Sequence, residues 1–199
     1  NKGSRMIPVL AITATLAAVF GFSACAPLLI GGAAVGGAMM YADRRSSGAQ
    51  VEDQAIELKA GRRIGEVMGE RGHINVTSYN RIVLLTGEVP VEGDRAIVEQ
   101  AIARVDNVRS IANELAVAPN SSFGARSQDT VLTSKVKATF VDTKDLQANA
   151  IKVVTEASEV FLMGRVTERE AARAAQLARA VPGVRKVVRV FEVVSEAEL

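Results

Sequence analysis

The chain repeats itself, and that limits its possible folds more than any other feature. Ile74-Asn75-Val76 leads through Val83-Leu84-Leu85-Thr86-Gly87 to Val89. Ile151-Lys152-Val153 leads through Phe161-Leu162-Met163-Gly164 to Val166. The offset is 77 residues throughout, so the intervals from Ile to Gly and from Gly to Val are the same in both copies. A helical stretch follows each copy, closing on Ala103-Arg104-Val105 and Val108-Arg109 or on Arg179-Ala180-Val181 and Val184-Arg185. There the offset slips to 76, the mark of one residue gained or lost in a loop. A fixed period of this kind means two small units of one type. At roughly 70 residues, each is near the lower limit for a self-sufficient core, so each is expected to lean on its neighbour or on a partner.

The pattern within a unit predicts its elements. A helix comes first, around 52–68 and 129–141. Two strands with alternating apolar positions follow, joined by the polar turns Ser78-Tyr79-Asn80-Arg81 and Glu156-Ala157-Ser158-Glu159. A second helix runs over 93–104 with Ile97, Val98, Ala101, Ile102 and Val105 on one face. Its counterpart starts at Thr167, an N-cap with Glu170 at the capping-box position. A last strand, 109–117 or 186–194, closes each unit. The order αββαβ, a three-stranded mixed sheet on two helices, is an α+β fold. The expected layout is 51–118 for the first unit, a linker over 119–126 and 127–195 for the second.

The N-terminal part is different. Its first 42 residues carry no charge beyond Lys2 and Arg5, which precede an apolar run and then Ser23-Ala24-Cys25, the only cysteine. A positive start, an apolar run and small residues form an export signal, here 1–24. Cys25 after the small pair resembles a bacterial lipobox, with Phe22 where leucine is usual. That resemblance implies cleavage before Cys25 and its acylation, and Ala26 at the next position implies sorting to the outer membrane. The other reading is an uncleaved anchor with a buried thiol. Residues 25–50 then form an apolar, Gly/Ala-rich stretch and a polar linker. Over 26–42 a short inserted span is the alternative, and a collar on the membrane is favoured because the acyl chains already anchor the chain. Cleavage leaves 22 basic residues against 22 acidic ones, a near-neutral chain whose second unit is the more basic.

The pattern Ile-x-Val, a hairpin, Leu-x-Gly-x-Val, an alanine-rich helix and Val-x-x-Val into a last strand resembles the BON domain. Its strongest segment is Val153 to Glu156 followed by Val160-Phe161-Leu162-Met163-Gly164-Arg165-Val166-Thr167-Glu168-Arg169-Glu170-Ala171. Two copies behind a lipobox resemble the dual-BON outer-membrane lipoproteins of Gram-negative bacteria. The resemblance implies a lipid-anchored, periplasm-facing protein that binds phospholipid, supports outer-membrane integrity and has no catalytic activity. In this reading Gly87 and Gly164 end a strand where the chain turns into a helix.

The residues themselves offer little chemistry. His73 is the only histidine and Cys25 is the lipid attachment point, so the expectation is no catalytic residue, no metal ligand set and no cofactor. Gly61, Gly65 and Gly69 do not follow a strand and lack a Lys-Ser/Thr, unlike a phosphate loop. Near-neutral charge and few aromatics exclude nucleic acid as a partner. One surface stands out on the helix over 129–141. Leu132, Val136 and Phe140 share its core face, while Val131, Lys135 and Ala138 fall on an adjacent one, with Lys137, Val141 and Lys144 nearby. An exposed Val beside lysines suits apolar insertion into anionic phospholipid. Alternatively, Val131 packs on the first unit and the lysines are a solvated rim. The family resemblance favours lipid, with Val131, Lys135, Lys137, Ala138, Val141 and Lys144 as contacts. The competing function is a protein-interaction adaptor for envelope assembly or cell-wall machinery, docking strands on exposed sheet edges.

Overall fold

A computed structural model describes residues 43–199. The signal, Cys25 and the apolar collar lie outside the described residues. No helix among the described residues is long and apolar enough to cross a membrane.

Each unit begins with a long helix capped by serine. Helix α1, Ser47–Met68, starts where Ser46 Oγ accepts from the Ala49 N–H at 3.1 Å, and it buries Ile56, Ala60, Ile64 and Met68. Strands β1 (His73–Tyr79) and β2 (Ile82–Val89) form an antiparallel hairpin. Helix α2, Glu92–Ile102, crosses over to β3 (Ser110–Asn113) and β4 (Ala116–Val117), both parallel to β2. The second unit repeats this order with α3 (Phe123–Val141), β5 (Ile151–Glu156), β6 (Glu159–Val166), α4 (Glu168–Ala180) and β7 (Lys186–Val193). Its sheet order is β5-β6-β7, with β7 parallel to β6. The expected αββαβ order and mixed sheets are both present.

Three details differ from the sequence expectation. Both first helices start earlier, at Ser47 and Phe123, because Ser46 and Ser122 cap them; Ser122 accepts from the Ala125 N–H at 3.2 Å. The second half of the stretch expected as a linker over 119–126 is therefore the first turn of α3. The closing strand of the first unit is broken at Glu114-Leu115, so that Leu115 drops into the core while Asn113 Nδ2 donates to the Arg95 carbonyl at 3.1 Å. Finally, Gly87 and Gly164 do not end their strands. They lie inside β2 and β6, opposite backbone that approaches too closely for a side chain. A Cβ on Gly87 would sit 2.0 Å from the His73 carbonyl oxygen, and one on Gly164 would sit 2.5 Å from that of Ala150. Gly87 also has φ +108, which only glycine adopts readily.

Strand alternation builds three cores rather than two. Val83, Leu85 and Val89 face α1 and α2, and Val160, Leu162 and Val166 face α3 and α4. The intervening residues Leu84, Phe161 and Met163 point the other way and meet one another with Tyr79, all at most 3% exposed. The two sheets thus pack back to back, giving four layers with helices outermost. A central strand covered on both faces reads as a continuous apolar run, which is what β2 and β6 are.

Candidate functional site

The face singled out in the sequence lies on α3, whose orientation is fixed by one side. Asp129, Leu132, Val136 and Phe140 are buried, at the spacing that puts them on a single stripe. Asp129 does more than fill space. Its carboxylate accepts from the Ala157 N–H at 2.9 Å and the Ser158 N–H at 2.8 Å, the two residues of the β5–β6 turn. Asp53 on α1 does the same for Asn80 and Arg81 at 2.7 and 2.8 Å, and also accepts from Ser78 Oγ. All four turn residues have positive φ, the geometry of a two-residue hairpin made here without glycine. Burial alone would raise the Asp53 carboxyl, but these donors and Arg45 hold it below the usual range. This pair of aspartates was missed in the sequence, although both open the repeat at the same point.

With its core face fixed, α3 turns Val131 outward, 55% exposed. Val131 and Lys135 line a hollow of about 350 Å³ against Pro182 and Gly183, beyond the end of α4. Lys135 and Ala138 line an adjoining hollow of about 460 Å³ with Leu177, Ala180 and Pro182. Together these form an apolar trough along α3, rimmed by Lys135. Lys137 and Val141 are not in it. They lie roughly a quarter to a third of a turn round the helix and border a separate cleft of about 310 Å³ with Asp43, Arg45 and Tyr79. Lys144 follows the helix end, is exposed and lines neither hollow. Five of the six residues therefore divide between two neighbouring faces, and Lys144 belongs to neither. Phe123, placed in the linker by the sequence reading, is an exposed aromatic at the start of α3, 83% accessible.

The segment that opens the described residues is held at the junction of the two units. The Arg44 guanidinium forks onto Glu170 at 2.7 and 2.8 Å and donates to the Arg165 carbonyl. Arg45 pairs with Asp43 and Asp53 and stacks over the Tyr79 ring at 4.3 Å from its centroid. Arg44 drives the Glu170 carboxyl down to about 2 against the opposing effect of burial, helped by the Thr167 N–H. Glu170 also completes the expected capping box with Thr167. Burial, with Asp43 beside it, pushes the Tyr79 hydroxyl up to about 12.

Two αββαβ units docked sheet to sheet define a tandem two-layer α+β protein. A family model described as the BON domain matches residues 52–119 and again 128–195. The chain is similar to outer membrane lipoprotein DolP of Haemophilus influenzae, at 37% identity over 190 residues covering 93% of this chain and 96% of that one. It is also similar to a 21 kDa hemolysin of Actinobacillus pleuropneumoniae, at 33% identity over 154 residues covering 76% and 79%. A likeness to CdsD, a structural protein of the type III secretion system of Chlamydia trachomatis, covers 70% of this chain and 93% of that one. At 12% identity and a TM-score of 0.29 it is too weak to bear on fold or function. The chain belongs to the BON-domain family, as a dual-BON outer-membrane lipoprotein.

Proposed function

We propose that the protein is a non-enzymatic lipoprotein, anchored through Cys25 to the periplasmic face of the outer membrane. There it binds anionic phospholipid through α3 and supports outer-membrane integrity. The observation that carries this reading is the apolar trough beside Val131 and Lys135. An uncovered apolar channel with a cationic rim suits an acyl chain or glycerol backbone below an anionic headgroup. The position of Asp43 supports it too: 18 residues after Cys25 in the sequence, it shares a cleft with Lys137 and Val141 on α3. Exposed Phe123 adds an aromatic at the other end of the helix.

Flotation of fragment 43–199 with anionic liposomes tests the reading without interference from the acyl anchor. Val131 contributes roughly 1.5–3 kcal/mol if fully inserted. Each nearby lysine adds on the order of 1 kcal/mol, a part that fades with salt. Val131→Glu with Lys135→Glu is expected to abolish binding and leave the circular-dichroism spectrum native, because neither side chain is in the core. Ala55→Glu with Lys59→Glu, the matching change on α1, is expected to do little. Unchanged flotation of the α3 variant would overturn the assignment and favour the adaptor.

A further inference from the structure

His73 is the first residue of β1, and its cross-strand partner is Glu88 on β2. The pairing brings His73 Nδ1 to 3.2 Å from Glu88 Oε2. Where the two units meet, Glu156, the last residue of β5, joins them. One donor atom from each of the three side chains lies within 4.8 Å of the other two. The carboxylate-bearing residues are buried, Glu88 5% and Glu156 8% exposed, and among the described residues neither is within salt-bridge distance of a lysine or arginine. Buried charges of this kind are ordinarily paired or coordinate a cation.

The surroundings orient these groups without saturating them. Asn75 Nδ2 donates to Glu156 Oε2 at 2.8 Å, and the Ser121 N–H donates to Glu88 Oε2 at 3.1 Å. Among the described residues Oε1 of each carboxylate accepts no hydrogen bond. A cleft of about 230 Å³ opens beside His73, Asn75 and Glu156, giving an entry path and room for water. Arg126 borders that cleft, but its guanidinium donates to the Ser121 carbonyl instead. Burial raises the Glu156 carboxyl, and the like charge of Glu88 adds to this against the hydrogen bond from Asn75.

We infer that His73, Glu88 and Glu156 form a divalent-cation site bridging the two BON units, with a nitrogen-and-oxygen donor set suited to zinc or a similar first-row transition ion. An ion about 2.1 Å from each donor needs donor pairs roughly 3.4 Å apart. His73 and Glu88, 3.2 Å apart, already fit, and Glu156, within 4.8 Å, would have to close by side-chain rotation. Calcium, which takes six or more oxygens, is poorly served by this set. Because one ligand comes from the second unit and two from the first, the ion would clamp the junction. The inference stands apart from lipid binding, since the trough on α3 shares no residue with it.

The test uses the full chain in detergent, stripped of metal by a chelator and titrated with zinc chloride by calorimetry. The expected result is one ion per chain and a higher melting temperature with zinc. Asn75→Ala, which removes only an orienting hydrogen bond, is expected to weaken binding about 10–100-fold. Glu156→Gln and His73→Ala should weaken it more and abolish the zinc-dependent rise in melting temperature. Glu156→Gln preserves size and removes a buried charge, so a native circular-dichroism spectrum is expected and a loss of zinc binding can be read directly. Absence of saturable zinc binding, or equal binding in wild type and Glu156→Gln, would overturn the site and leave a proton-sharing network in its place.

Discussion

At the scale of the residue, two buried carboxylates do most to shape the backbone. Asp53 and Asp129 each satisfy both N–H groups of a turn that no glycine relaxes. Removing either leaves those donors without a protein partner, at roughly 1–3 kcal/mol for each one that water does not reach. Asp53→Ala and Asp129→Ala should therefore each cost about 2–4 kcal/mol, measured by urea denaturation, with Asn at either site costing less because its carbonyl still accepts. Glu170 gives a pH signature. Its carboxyl is held at about 2 in the folded chain, below its ordinary 4.5. A depressed folded value means the stabilisation is complete above the ordinary range and is lost as pH falls from about 4.5 towards 2. Melting temperature followed from pH 7 down to pH 3 should fall more steeply for the wild type than for Glu170→Gln, whose side chain cannot titrate. Equal slopes would show that the Arg44 fork does not couple to folding.

At the scale of the element, alternation along the central strands decides which core each leucine serves. Leu85 and Leu162 stand at equivalent positions of the repeat and both face helices, whereas Leu84 is equivalent to Phe161 and faces the opposite sheet. Leu84 and Leu162 are both fully buried, and truncation of either to Ala should cost roughly 2–5 kcal/mol. The consequences should differ in kind. Leu162→Ala loosens the second unit itself, while Leu84→Ala hollows the layer between the units. Hydrogen exchange separates the two: faster exchange confined to β5–β7 and α4 is expected for Leu162→Ala, and faster exchange on both inner sheets for Leu84→Ala. Helix α4 is the element most legible in the sequence. Thr167 and Glu170 close its capping box, acids occupy its first turn and Arg179 its last, in line with the helix dipole. The start of α3 was not legible to the same degree. Ser122 caps it, but Pro119-Asn120-Ser121-Ser122 reads equally as a loop, and serine serves either role.

At the scale of the whole molecule, the sheet-to-sheet layer makes the two units interdependent. Tyr79, Leu84, Phe161 and Met163 pack there, and outside that layer Arg44, Lys152 and Arg109 reach across to Glu170, Glu57 and Glu192. A charge placed in the layer should uncouple the units. Met163→Glu, at a fully buried position, is expected to turn one cooperative calorimetric transition into two, whereas a single transition of unchanged midpoint would show that docking adds nothing to stability. The sequence by itself determined the duplication, the αββαβ order, the capping of α4 and the core stripe of α3. These rest on periodicity and on residues within a few positions of one another, which local chemistry governs. Only the tertiary structure decided that the sheets pack back to back, that α3 and the end of α4 enclose a trough, and that His73 meets Glu88 and Glu156. Burial on one face of a strand does not say what covers the other. A histidine 15 residues from one carboxylate and 83 from another has no partner until strand register and domain docking bring the three together.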